Sequence, residues 1–333
     1  VSLEWFNESF NLNVIVPACP FGAKFKSFPA HACLLTSLWN HHTPGGEAML
    51  HIELDVFSGR PNPYWKLTAR EERELIDRLK ASPAALRPVG DVESRLGYRG
   101  MVVHADRAGQ ERLTRAGLPP AFRLRESTGL NVSDVAERWL LHTPGAQQIL
   151  TPEVSTESAR TIGSPSALQD SGSSGLDAAL AACATWSSTW ADLNTFWNGA
   201  RRPSNNCYNF ASSLATNTFA QPGRGTGQIF TSLTIGAVKD ATFRDGYTAG
   251  CNDDRFVDYV CIWPGTDYHF YHRIADFWGS LRRWAHKPGS TPATNVDNSG
   301  QPITDPITCN RGPYTWDGAP YIYARVNPRA TIN

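Results

Sequence analysis

Between Phe256 and His286 the chain carries three closely spaced apolar-rich runs, and this spacing constrains the fold more than any other feature. Phe256–Trp263, Tyr268–Ile274 and Leu281–His286 read as successive strands, broken at Pro264–Gly265 and around Asp276–Gly279. Breaks this short join antiparallel neighbours, because parallel strands need a long crossover. Ahead of them, Pro203-Ser204-Asn205-Asn206 is a helix-entry signal, and Phe210, Ala211, Leu214 and Ala215 follow at helical spacing. The C-terminal order is therefore a helix, then antiparallel strands, with Tyr321–Val326 as a closing strand. Most of the 11 Trp fall in this half, so it should hold the larger aromatic core.

The preceding part reads as a small α/β unit. His51–Phe57 alternates polar and apolar residues, as a half-buried strand does. Arg60-Pro61-Asn62-Pro63 is a rigid turn with no chemistry attached. Thr68 and Glu71 form a capping box that opens a helix carrying Leu75, Ile76 and Leu79. Tyr98–Ala105 reads as a strand and Ser133–His142 as a helix. Residues 151–178 are rich in Ser, Thr, Gly and Pro, the composition of a linker. The expected organisation is α+β: a non-core extension over 1–48, an α/β domain over 49–150, a linker over 151–186 and a second domain over 187–333. Met49 is the first Met, and the extension is compatible with a misplaced start codon.

Formal net charge is zero, so nothing marks a nucleic-acid or polybasic membrane surface. No apolar run reaches the roughly 18 residues of a membrane-spanning helix. No clear signal peptide is visible, and the expectation is a soluble chain that is exported, if at all, by another route. There are seven Cys, an odd number, and no C-x-x-C pair. Cys251 and Cys309 sit in polar, loop-like contexts and are the pair available for a disulfide in an oxidising compartment. No metal or organic cofactor is expected.

Chemistry concentrates on Cys207. A thiol becomes a nucleophile as thiolate, and a helix N-terminus or a nearby His lowers its pKa. Cys207 falls in a helix first turn if Asn205 or Asn206 is the cap. Strand alternation puts His269, Tyr271 and Arg273 on one face and Tyr268, Phe270, His272 and Ile274 on the other. His286 ends the next strand and is placed to orient His269, with Asp297 and Asn298 as rivals for that role. Backbone donors at Cys207, with Asn206 or Tyr208, would hold an oxyanion. Gly223–Gly227 lacks the Lys-Ser/Thr ending of a phosphate loop and reads as a mobile loop flanking the cleft.

This order resembles the NlpC-type and CHAP cysteine peptidases, papain-like enzymes that cut amide bonds in bacterial cell-wall peptides. The resemblance covers roughly residues 187–290. Sixty-two positions separate Cys207 from His269 and seventeen separate His269 from His286, as such domains allow. The flanks differ: Asn206-Cys207-Tyr208-Asn209 stands where the family shows Asp-Cys-Ser-Gly. The resemblance implies a Cys207–His269–His286 triad in a thiol hydrolase acting on a peptidoglycan or other peptide amide, with the first domain a partner-binding module. Two other readings stay open. One is an acyltransferase or transglutaminase-like Cys–His enzyme. The other is a non-catalytic binding or assembly protein that keeps the fold.

Overall fold

The computed structural model describes residues 50–81, 86–124, 132–162, 196–249, 257–275, 282–315, 323–326 and 331–333. All belong to one compact unit within residues 47–333. The expected 1–48 extension and Cys251 lie outside the described residues.

The first half builds a five-stranded antiparallel sheet. Its strands are β1 (Leu50–Leu54), β2 (Tyr64–Lys66), β3 (Leu86–Arg87), β4 (Met101–Ala105) and β5 (Phe122–Leu124), in the order β2-β1-β4-β5-β3. Alternation in β1 buries Leu50, Ile52 and Leu54 and leaves His51 and Glu53 half-exposed, as a period of two requires. The strand ends at Leu54, short of the expected Phe57. Beyond it, Val56 and Phe57 donate their N–H groups to Asn62 Oδ1 at 3.1 and 2.9 Å, which turns the chain out of the ladder.

Helices α1 (Ala69–Ala81), α2 (Arg107–Arg115), α3 (Val132–Leu141), α4 (Pro144–Ile149) and α5 (Pro152–Thr161) accompany this sheet. The Thr68–Glu71 capping box is present, with Thr68 N–H donating to Glu71 at 2.7 Å. Helix α5 corrects the linker, which composition had begun at 151. Thr151 caps it, Pro152 fits its first turn, and Val154 and Ser158 are buried one turn apart. Burial of that face outweighs the poor helix propensity of its Ser and Thr residues.

The second half holds helices α6 (Cys207–Ala211) and α7 (Ile235–Arg244) and another antiparallel sheet. Its strands are β6 (Tyr247–Ala249), β7 (Val257–Trp263), β8 (Asp267–Ala275), β9 (Arg282–His286) and β10 (Tyr323–Val326), in the order β6-β10-β7-β8-β9. Helix α6 is shorter than the apolar spacing predicted. Ser213 adopts φ 56°, in the left-handed region, and Asn209 Nδ2 donates to the Leu214 carbonyl at 2.9 Å, so the chain turns off before Leu214.

Alternation in β8 divides the core. Tyr268 and Phe270 pack with Cys207, Tyr208, Ala211, Ile235 and Val238. Tyr271 joins Tyr259, Cys261 and Trp263 in the cluster that also contains Leu50, Ile52, Val103 and Leu75. One face of this sheet thus serves α6 and α7, and the other shares a core with the first half.

A buried ion pair stiffens the exit from β1. Arg99 donates to Asp55 Oδ1 through Nε at 3.0 Å and Nη2 at 2.7 Å, and Arg123 reaches Asp55 Oδ2 at 2.8 Å. Burial alone raises the Asp55 pKa, but the two guanidinium groups reverse this and hold it below the ordinary value. Its stabilisation is present above the unfolded carboxylate range and is lost as pH falls through the lowered folded pKa. Asp55→Asn leaves two buried cations undercompensated and is expected to cost about 3–5 kcal/mol in urea unfolding at pH 7. A cost below about 1 kcal/mol would contradict this account.

Candidate functional site

Asn206, Cys207 and Tyr208 lie at the start of α6, packed on the Tyr268 and Phe270 face of β8, while His269 and His286 pair with each other on the opposite face. Asn206 is the cap: its Oδ1 accepts from the Tyr208 and Asn209 N–H groups, each at 3.1 Å. The Asn206 N–H in turn donates to Asn209 Oδ1 at 3.2 Å. The Tyr208 N–H, expected to help hold an oxyanion, is thereby committed to the cap. The Tyr208 hydroxyl donates to Asp245 at 2.8 Å, and its ring packs against Tyr247 and Phe270.

Cys207 is fully buried, and its sulfur lies 4.0 Å from the Tyr268 carbonyl. Burial, then the neighbouring Asp267 carboxylate, pushes the thiol up to about 12; the Ser58 hydroxyl, the Phe270 N–H and Lys287 only partly offset this. This reverses the expected activation. A helix terminus lowers a thiol pKa when the group is partly exposed, whereas complete desolvation of a thiolate acts strongly the other way.

His269 and His286 are brought together, on the β8 face turned away from Tyr268 and Phe270. His269 Nε2 and His286 Nδ1 are 2.9 Å apart, and His286 Nε2 lies 3.0 Å from the Val296 carbonyl. A carbonyl only accepts, so His286 carries its proton on Nε2 when neutral and its Nδ1 accepts from His269 Nε2–H. His269 Nδ1 is then an acceptor, and its partner is the Ser58 hydroxyl. Burial lowers both pKa values: His269 well below the usual range, and His286 to about 4 despite the opposing Val296 carbonyl and Asp297.

The alternatives to His286 bond elsewhere. Asp297 accepts from the N–H groups of Ser299, Gln301 and Asn310 at 2.8–3.0 Å. Asn298 pairs with both backbone groups of Leu96 at 2.7 and 2.8 Å. His272, on the α6 side of β8, is 2.6 Å from Asp258 and edge-on to Phe210.

Sequence reasoning missed three residues that organise this region. Asp267 accepts from the backbone N–H groups of Ser58, Gly59 and Arg60 at 2.5, 3.2 and 3.0 Å, and from the Tyr314 hydroxyl at 2.5 Å. The Gly59 carbonyl in turn accepts from Asn206 Nδ2, Gln221 Nε2 and the Tyr268 hydroxyl at 2.6, 2.7 and 3.1 Å. Lys287, also fully buried, donates to the carbonyls of Arg202, Asn205 and Gly289. Ser58-Gly59-Arg60, which leads into the Arg60–Pro63 turn read as chemically inert, thus covers this site. Ser58, Cys207, Asp267, His269 and His286 all have zero exposure. The glycine loop is also tied down, with Gly223 N–H donating to Asp245 at 2.6 Å and Gly225 packed on the Thr331 carbonyl.

Two outcomes are expected. A Cβ on Gly59 would lie 2.4 Å from the Tyr268 ring, so Gly59→Ala should destabilise by about 1–3 kcal/mol in urea unfolding; a neutral effect would refute the packing. Both histidines stay neutral in the fold while the unfolded chain takes up protons near pH 6.5. Each therefore contributes a loss of stability as pH falls below about 6.5, for His286 down to about 4, at up to about 1.4 kcal/mol per pH unit. His286→Gln should flatten the pH dependence of urea unfolding in that window, and an unchanged slope would contradict the assignment.

The chain is 43% identical over 136 residues to insoluble matrix shell protein 1 of Ruditapes philippinarum, a match spanning 39% of this chain and 84% of that protein. No family model matches the chain, and no solved structure does. Similarity to a protein named for an insoluble shell matrix corrects the reading of the chain as a thiol hydrolase of bacterial cell-wall peptides.

Proposed function

The chain belongs to the family of insoluble matrix shell protein 1, and on that premise we propose that it is a non-catalytic assembly protein of an insoluble matrix. The observation that carries this is the sealed state of the Cys207–His269–His286 region. The thiol has no exposed surface, both ring nitrogens of His269 are engaged by Ser58 and His286, and the Gly59 backbone fills the position in front of the α6 cap. An activated thiolate needs the opposite: partial exposure and a lowered pKa. In this reading the α6 end and β8 are the foundation of a rigid particle, and its partners are other matrix components.

The finer description of the second half as a papain-like, NlpC-type scaffold belongs to the same proposal. Its support is the short helix α6, opened by Cys207 and packed on β8 of an antiparallel sheet. Among the described residues no helix is long and apolar enough to cross a membrane.

Two measurements test the reading. In the native protein, iodoacetamide at mildly acidic pH should leave Cys207 unlabelled, and it should react only on unfolding, together with the buried Cys261 and Cys309. Cys207→Ser should change the yield of sedimentable assembly by less than about twofold. Rapid, selective labelling of native Cys207, or a protein that stays monomeric and soluble at all concentrations tested, would overturn the proposal.

A further inference from the structure

The outer face of the first sheet carries a pair of histidines far in character from the dry corner described above. Strand β1 pairs antiparallel with β4 so that His51 stands directly opposite His104. Ile52 and Val103, the next residues along the two strands, are fully buried, so both imidazoles point to the outer face. Side chains directly opposite on one face start from Cβ atoms about 4.5–5.5 Å apart, a span that two imidazoles can close on one ion. The two residues are more than fifty positions apart in sequence, so ligand spacing along the chain gave no sign of them.

Two features set this pair apart from ordinary solvated side chains. His104 is oriented from behind: its Nε2 lies 2.9 Å from Glu53 Oε2. A carboxylate only accepts, so the neutral His104 ring carries its proton on Nε2 and keeps the Nδ1 lone pair for a ligand. Glu53 is fixed in turn. Its Oε1 accepts from Asn62 Nδ2 at 2.8 Å, and that amide is set by the Val56 and Phe57 N–H groups on Asn62 Oδ1. A carboxylate behind an imidazole is the support that metal-ligating histidines use. The second feature is His51, which is half-buried yet hydrogen-bonds to none of the described residues. The charges that face it are Lys66, opposite on β2, and Asp106, just beyond β4. Lys66 disfavours a cation at this place, and Asp106 and Glu53 favour one.

We propose that His51 and His104 form a surface chelate for a borderline divalent metal ion, zinc or copper(II), with Glu53 as its positioning residue. Imidazole nitrogen suits these ions, whereas calcium and magnesium take oxygen ligands. Among the described residues no group of three or more His, Cys, Asp or Glu is placed to hold a metal, so the protein supplies two nitrogens and solvent completes the coordination. A bound ion ties β1 to β4 across the sheet. The site lies apart from the Cys207 corner and does not depend on the assembly role.

The test uses the full chain, treated with EDTA and desalted, at neutral pH. Zinc chloride is the probe, and diethyl pyrocarbonate modification of each histidine is read by peptide mass spectrometry. Zinc at about ten times its half-effect concentration should slow modification of His51 and His104 together by about tenfold, and the two should share one half-effect concentration. Calcium chloride at the same concentration should slow neither. His51→Gln should abolish the protection of His104, and His104→Gln that of His51, because neither imidazole holds the ion alone. Glu53→Gln should raise the half-effect zinc concentration by about tenfold while the urea-unfolding midpoint stays put, a split that a merely structural role would not produce. Equal modification rates with and without zinc, protection of one histidine alone, or protection of His104 that survives in folded His51→Gln would overturn the chelate. Should a Gln variant unfold, the unmodified protein decides, through joint or separate protection of the two histidines.

Discussion

The Asp267 carboxylate is the point on which the two halves of this protein turn. A buried charge is tolerated only when it is paired or fully hydrogen-bonded, and Asp267 meets that demand with donors from a segment more than two hundred positions away. Burial raises its pKa, while the Tyr314 hydroxyl and the Ser58 and Gly59 N–H groups pull it back. Once this carboxylate is satisfied, the rest of the corner follows. Gly59 is pressed onto the Tyr268 ring, Ser58 reaches His269, and His269 is oriented toward His286 and the Val296 carbonyl. The polar contacts are flanked by apolar ones, with Phe57 edge-on to Trp263 at 6.4 Å and Trp263 against Tyr314 at 6.0 Å.

The chemistry of the corner follows from its dryness. A thiol, two imidazoles, a carboxylate and a lysine within one small volume would ordinarily suggest catalysis, because proton transfer between such groups is easy where water and substrate can enter. With no entry, the same groups act as acceptors and donors for the backbone. Lys287, lowered to about 7 by burial, spends its ammonium on three carbonyls that fix the approach to α6. The histidine chain carries hydrogen bonds in one direction, from Ser58 to Val296, and every nitrogen in it is used.

What the sequence revealed was what short-range pattern controls. The Thr68–Glu71 box, the alternation of β1 and β8, the Asn206 cap and the pairing of His269 with His286 all follow from spacings of two to seventeen positions. What stayed hidden depends on contacts with no local signature. Nothing near Ser58 announces Asp267, and in Pro152–Thr161 the start signal of Thr151 and Pro152 is masked by a Ser- and Thr-rich composition, the helix being held by burial of Val154 and Ser158. The expected activation of Cys207 failed for a related reason. A five-residue helix offers a modest favourable field, while burial under the Ser58 turn adds a larger unfavourable one that only the fold makes visible.

Strand β8 has a further consequence for how this chain can vary. Its odd positions, His269 and Tyr271, look toward the first half, and its even positions, Tyr268 and Phe270, look toward α6 and α7. Its pairing fixes Cys261 opposite His269 on one side and His286 opposite Tyr271 on the other. Inserting or deleting one residue would invert both faces at once, driving tyrosine hydroxyls and imidazoles into each other's apolar or polar surroundings. Length in β8 is therefore frozen while composition is not. Divergence along this strand has to proceed by substitution in place, and length changes are confined to loops whose register nothing else reads.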